Sequence, residues 1–243
     1  METTTNKMKV EIWSDIMCPF CYIGKRNFEA ALEKFSDADN LDIEWKSFQL
    51  DPTIPEDIAQ TNVYSYLSKR KGSNIEQTKA RINGVVEMAK NAGLDFNYDI
   101  ALVANSFKAH RMIQLAKEKG LGDAAEERLF KAHFTEGKDF GSTDVLIELG
   151  KEIGLSEEDV RKALTDEAYT EKVNENIREA QQLGVRGVPF FVFNRKYAVS
   201  GAQPVEVFTE TLDKSFNEWR KDNPALQLNV VEVQTCDVNG ICN

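Results

Sequence analysis

The 243-residue chain has little of what several function classes require. It has no basic excess: 30 Lys and Arg stand against 40 Asp and Glu, the formal net charge is -10, and the only compact basic cluster is Lys69-Arg70-Lys71. Such a chain is poorly suited to gripping a phosphate backbone, so no nucleic-acid partner is expected. No apolar run approaches the ~20 residues of a membrane span, Pro189 to Phe193 being among the longest, so no membrane partner is expected either. No G-x-G-x-x-G or P-loop pattern supports a nucleotide cofactor. The segment Met1 to Lys7 lacks an apolar h-region, which makes a cytoplasmic protein the default expectation. No fixed period marks a repeat array. Histidine is limited to His110 and His133, and a lone His is a weak site signal.

What is present is more specific. At 42% hydrophobic and 29% charged residues the balance is that of a folded chain, which argues against disorder. The four cysteines fall in two local pairs, Cys18/Cys21 and Cys236/Cys242. In a chain of this length without a signal, paired cysteines point to redox or metal chemistry rather than to a disulfide framework.

Around the first pair the pattern changes period. Val10 and Ile12 stand two apart, as in a strand; Phe28, Leu32 and Phe35 follow the spacing of an amphipathic helix; Leu41 to Trp45 alternates again. The first 50 residues therefore read β-α-β, with Cys18 where strand gives way to helix and Pro19 in the first helical turn, where its missing N–H costs nothing. From about residue 62 to 180 the spacing is helical: Val85, Val86 and Ala89; Met112, Leu115 and Ala116; Leu129, Phe130, His133 and Phe134; Val145, Leu146 and Leu149. Gly93, Gly120, Gly137 and Gly154 punctuate this block, and Ser156 precedes an acidic first turn, so five or six helices are expected. Strand character returns at Val188 to Phe193 and Tyr197 to Val199 around an Asn194-Arg-Lys196 turn, and a last helix follows Pro204, with Val207, Phe208, Leu212 and Phe216 on one face. Leu226 to Val233 suggests an added edge strand.

A C-x-x-C at a helix N-terminus has a direct chemical rationale. Unpaired N–H groups and the positive end of the helix dipole favour a thiolate on the first cysteine. The second, one turn on, can attack a mixed disulfide formed there. The rival reading is half of a zinc site. It needs a second pair, and Cys236-x5-Cys242 is too widely spaced for the usual knuckle, so no metal site is assigned. C-x-x-C beside a β-α-β pattern is a thioredoxin-like signal.

Asp15-Ile-Met-Cys-Pro-Phe-Cys21, the helical block and Gly184-Val-Arg-Gly-Val-Pro-Phe-Phe191 together resemble the DsbA-like thioredoxin-fold family. The nearest branch looks like the FrnE type, grouped with 2-hydroxychromene-2-carboxylate isomerases and kappa-class glutathione transferases. Phe48 to Pro52, Asn105 to Arg111 and Tyr197 to Pro204 extend the likeness over residues 8 to about 218. The resemblance implies an α/β thioredoxin-like fold with a large all-helical insertion. Residues 8–61 and 181–222 would form the thioredoxin-like halves, 62–180 the insertion, and 223–243 a tail. It implies a cis Val188–Pro189 bond opposite Cys18, exposing the backbone of Val188 to an extended substrate. The alternative is a trans proline opening an edge strand.

The chain also departs from its relatives. DsbA-type oxidants carry His between the cysteines, whereas here Pro19 and Phe20 stand there, so the helix terminus must stabilise the thiolate unaided, which argues against a strong oxidant. The isomerase and transferase branches use Ser at the position of Cys18, so a thiol favours dithiol–disulfide exchange. The expected activity is that of a dithiol oxidoreductase acting on disulfides in proteins or small molecules. No bound cofactor is expected, with glutathione open as a co-substrate. A glutathione-dependent isomerase or transferase and a non-enzymatic thiol or metal-binding module are the alternatives. Among secondary candidates, Arg186 would add positive potential beside Cys18 or stand solvated in its loop. His110 would approach the cleft or be satisfied by a neighbouring carbonyl, and His133 reads as packing. Cys236 and Cys242 form a second redox pair, a local clip or an incidental metal tail. Oligomeric state leaves no signal.

Overall fold

The computed structural model describes residues 6–224. The chain runs through β1 (Met8–Ser14), α1 (Pro19–Leu32), β2 (Leu41–Ser47), β3 (Thr61–Asn62), α2 (Val63–Lys71), α3 (Ile75–Asn91), β4 (Leu102–Val103), α4 (Phe107–Glu118), α5 (Gly122–Phe134), α6 (Thr143–Glu152), α7 (Glu157–Ala163), α8 (Glu167–Gln182), β5 (Phe190–Phe193), β6 (Tyr197–Ser200) and α9 (Val205–Asp222). The main sheet has the order β2-β1-β5-β6, with β2 parallel to β1 and the β1–β5 and β5–β6 pairs antiparallel. This is a thioredoxin-like sheet whose two halves are separated in sequence by a helical block. No helix among the described residues is long and apolar enough to cross a membrane.

The sheet's two faces follow from strand alternation. Val10 and Ile12 of β1 stand opposite Phe193 and Phe191 of β5, and all four point at α1 and α9. There Phe28 of α1 meets Phe191, Phe193 and Phe208 at ring-centroid distances of 5.5, 6.1 and 5.7 Å. This aromatic knot fixes the helix that carries the cysteines. On the other face Trp13 and Val192 pack against Ala180 of α8, and Trp13 Nε1 donates to the Asn176 carbonyl at 3.0 Å. Glu11 and Lys46 also face α8; Lys46 Nζ lies 3.3 Å from carboxylate oxygens of Glu11, Glu44 and Glu179, so these charges enter the interior paired.

The residues between the halves form seven helices rather than the expected five or six, together with the two-residue β3–β4 ladder. The short α2 and α7 span too few turns to show a period, and a two-residue ladder shows none. Gly93, Gly120, Gly137 and Gly154 all adopt positive φ at helix ends, and the Ser156 hydroxyl accepts from Asp159 N–H at 3.0 Å, as its sequence context requires. At the β5–β6 hairpin Asn194 and Arg195 both have positive φ, the type I′ arrangement. The edge strand read at Leu226 to Val233 and the Cys236/Cys242 pair lie outside the described residues.

Truncating the aromatic knot tests its weight. Phe28→Ala is expected to destabilise the protein by about 3–5 kcal/mol, seen as a lower urea midpoint at unchanged m-value. A loss under about 1 kcal/mol would show that α1 is held elsewhere.

Candidate active site

β1 ends at Ser14, and the next residues turn sharply into α1. Cys18 N–H donates to the Asp15 carbonyl at 2.9 Å, and Cys18 occupies the N-cap with extended dihedrals (φ -89, ψ 110), with Pro19 in the first helical turn. Asp15 is fully buried. Its carboxyl oxygens accept from Met17 N–H at 3.3 Å and from Leu50 N–H at 2.7 Å, which ties the turn to the chain leaving β2.

The two cysteines are free thiols in different environments. Cys18 lines a cavity of about 510 Å³, and Cys21 does not. Cys18 Sγ lies 3.3 Å from the Val188 carbonyl, and the Val188–Pro189 bond is cis. Cys21 is completely buried, and burial raises its thiol pKa well above the ordinary value. A hydrogen bond to Cys18 and the charge there push it the same way, while an Asp15 backbone group and the Ser14 hydroxyl pull it down. Gly24, one turn beyond Cys21, lets the proline loop close on α1: a Cβ there would stand 3.0 Å from Pro189 Cγ.

The insertion builds the rest of the cavity. Tyr66 and Leu67 of α2, Ile82 and Val85 of α3, and Tyr98 make a largely apolar wall, and Phe20 and Leu50 stand partly exposed at its mouth. Asp51 on that wall accepts a hydrogen bond from the Tyr66 hydroxyl and forms an ion pair with Arg70. Burial, then the neighbouring Cys18, raises the Tyr98 phenol pKa, so it stays protonated. α1 is stitched to the insertion: Tyr22 stacks on Phe130 at 4.9 Å and donates to Glu127 at 2.7 Å, and the buried Lys25 pairs with Asp123 at 3.0 Å.

The remaining sequence candidates are placed as follows. Pro19, Phe20 and Val188 line the cavity with Cys18. Arg186 is exposed, is not among the lining residues, and makes no hydrogen bond or ion pair among the described residues. His110 sits behind the cleft: it is fully buried, and its Nε2 donates to the Phe48 carbonyl at 2.8 Å and lies 3.6 Å from Asp15 Oδ1. His133, read from the sequence as packing, is the histidine that reaches the cavity wall. It also packs edge-on to Phe134 and Phe140, and burial drives its pKa down to about 4, against the pull of Asp15. Helical spacing reports which residues share a stripe but not what the stripe faces: His110 is satisfied by a neighbouring carbonyl, and His133 packs as read while also bordering the cavity.

Sequence reasoning passed over Ser14 and Glu126. Glu126 precedes Leu129, Phe130 and His133 by three, four and seven positions, so it is a carboxyl group on the buried stripe of α5, and that was the available signal. It is 1% exposed, accepts from the Ser14 hydroxyl at 3.4 Å through Oε2, and its Oε1 has no partner. Among the described residues no group of three His, Cys, Asp or Glu side chains is arranged to hold a metal.

Burial pushes the Glu126 carboxyl pKa up to about 7, with His110 and Lys25 opposing. Its folded-state value lies above that of the unfolded chain, so its contribution to stability is complete below about pH 4.3 and is lost as pH rises through about 7. Urea titrations of the parent and Glu126→Gln should show a stability gap that shifts by up to about 3 kcal/mol between acidic and mildly alkaline pH. A gap independent of pH would show that Glu126 titrates normally.

The fold has counterparts among solved structures. A probable DsbA oxidoreductase from Streptomyces coelicolor is 37% identical, with a TM-score of 0.81 over 97% of this chain and 98% of that one. The cytosolic disulfide reductase DsbM from Pseudomonas aeruginosa (19% identity, TM-score 0.62, 86% and 99% coverage) shares the fold. So does a 2-hydroxychromene-2-carboxylate isomerase (15%, TM-score 0.61, 89% and 98%). Residues 9–213 match the DSBA-like thioredoxin domain, and the chain belongs to that family.

Proposed function

We propose that this protein is a thiol–disulfide oxidoreductase in which Cys18 is the nucleophile and Cys21 the resolving thiol. The observation that carries the reading is the asymmetry of the pair: Cys18 faces the cavity, while Cys21, one helical turn on, is completely buried and does not line it. Cys18 attacks a substrate disulfide, forming a mixed disulfide and releasing one thiol. Cys21 then attacks Cys18, closing an intramolecular disulfide and releasing the second thiol. Run backwards, the same steps oxidise a dithiol.

The neighbourhood of Cys18 suits an extended substrate. Val188 lies just outside the β5 ladder, its carbonyl beside the sulfur, and Pro189 brings no N–H to compete for a partner. Disulfide-bearing proteins are the substrate class that such a backbone edge would hold. The adjoining cavity has room for a small thiol such as glutathione as co-substrate, with Arg70 and Lys71 at its rim. The isomerase or transferase reading draws on likeness of fold alone, and the buried second thiol favours dithiol exchange over it. The setting proposed for this dithiol is the cytoplasm, where thiols are kept reduced. The direction of electron flow follows from the reduction potential of the pair, near about -270 mV for a reductase of the thioredoxin kind and near about -120 mV for a strong oxidase.

Insulin-disulfide reduction should fall to the uncatalysed rate in Cys18→Ser. Cys21→Ser should accumulate a mixed disulfide with substrate, visible by intact-mass measurement without reductant. Undiminished turnover by Cys18→Ser would remove Cys18 from the chemistry.

A further inference from the structure

The cavity beside Cys18 differs in chemistry between its mouth and its inner wall. At the mouth stand the partly exposed Phe20 and Leu50 and the exposed Arg70 and Lys71. Arg70 is not a free charge there. It is paired with the buried Asp51, whose Oδ1 accepts from the Thr53 N–H at 3.1 Å, so both charges are spent within the protein. Further in, the wall is made by the buried Val63, Ile82 and Val103, and Tyr98 and His133 bring polar groups into it.

These two polar side chains are 6% and 2% exposed, and neither has a partner. His133 Nδ1 is shielded from solvent without a hydrogen bond, and neither His133 Nε2 nor the Tyr98 hydroxyl makes one among the described residues. Folded proteins rarely leave buried polar groups in that condition, because each forfeits its bonds to water. Burial keeps the imidazole neutral, with its pKa at about 4, and keeps the phenol protonated. The wall therefore offers a ligand one hydroxyl donor, one ring that can donate or accept, and no charge.

We infer that this cavity binds small thiols and disulfides of one kind: the sulfur is carried on an aromatic, apolar body that ends in a neutral hydroxyl or carbonyl, received by Tyr98 and His133. The inference rests on the dithiol chemistry proposed above and specifies its substrate. A volume of about 510 Å³ is that of a small-molecule site. With the ligand sulfur at Cys18, burial of the body against Ile82 and Val103 supplies affinity, and the two polar groups fix orientation. A neutral terminus satisfies both groups without carrying a charge into the apolar wall. Glutathione fits the same space less well. Its two carboxylates and its ammonium have to stay at the mouth, where Arg70 is already paired, and it has little apolar surface to set against the wall.

A competition for Cys18 tests this directly. Full-length protein carrying Cys21→Ser, Cys236→Ser and Cys242→Ser keeps Cys18 as its one thiol. It is equilibrated with glutathione, 2-phenylethanethiol and, in separate mixtures, the meta- or para-hydroxylated phenylethanethiol, each with its disulfide. When an aromatic thiolate attacks Cys18 Sγ, the new mixed disulfide forms, the bond to glutathione breaks, and the departing thiolate takes up the proton that the incoming thiol shed. Intact mass after acid quenching gives the share of each adduct, and the same mixture in urea gives the intrinsic shares. Relative to urea, the folded protein is expected to favour phenylethanethiol over glutathione at least about tenfold. One hydroxylated analogue should exceed the plain thiol by about threefold to tenfold. Tyr98→Phe, which removes a hydroxyl the fold does not use, and His133→Phe should each erase the second preference while the first persists. Parental shares equal to those in urea, glutathione favoured over the aromatic thiols, or no gain from the hydroxyl would each overturn the site while leaving the dithiol chemistry standing. A hydroxyl preference undiminished in both variants would overturn it as well. Folded protein that forms no Cys18 adduct where urea permits one would defeat the dithiol reading, and the site with it.

Discussion

Asp15 is the point on which the geometry of the cysteine turn depends. One buried residue accepts through its carbonyl from Cys18 N–H and through its side chain from Met17 and Leu50 N–H groups, with the His110 imidazole beside it. These contacts join the end of β1, the start of α1, the segment leaving β2 and, through His110, helix α4. A strand-to-helix turn would otherwise leave several N–H groups without partners in the interior, each a substantial loss. Satisfying them with one short side chain fixes where α1 begins, and hence where its first cysteine stands relative to the Val188 carbonyl.

The helical insertion is joined to that turn as core, not draped over it. Cys18, Cys21 and Tyr22 belong to the same apolar cluster as Ile82, Phe96, Val103 and Phe130. The aromatic stack on Tyr22 and the ion pairs of Lys25 make α1 a shared element, packed on the sheet by one face and on the insertion by the other. The apolar wall opposite Cys18 comes wholly from outside the sheet domain. One helix thus begins at Cys18 while a separate stretch of chain shapes the cavity beside it.

How much of this the sequence disclosed depends on the range of the interaction. Features set within a few residues were legible: the alternation of β1, the proline after Cys18, the glycines at helix ends, Ser156 as a cap and the Asn194-Arg195 turn. Each rests on local backbone sterics or a local hydrogen bond. Features that depend on which surfaces meet were not. The β3–β4 ladder joins residues 61–62 to 102–103 with no pattern of its own. That the carbonyl satisfying His110 is that of Phe48, and that the packed His133 also borders the cavity, depends on how the helices of the insertion meet the sheet domain. Glu126 showed only as a carboxylate on an apolar stripe, and nothing local says that the stripe ends against Ser14. The cis geometry at Pro189 was readable only through family resemblance, since the base rate for such bonds is low.

The contact between α1 and the proline loop occurs at Gly24, where the helix has no side chain. How closely the helix approaches the Pro189 ring is therefore set on the helix side by bare backbone rather than by a rotamer. The cavity wall is built the other way, from side chains of α2 and α3 that share one apolar core with Cys18. A larger or smaller wall residue thus repacks the cluster that holds the cysteine turn, whereas the close approach at Gly24 leaves no room for a side chain.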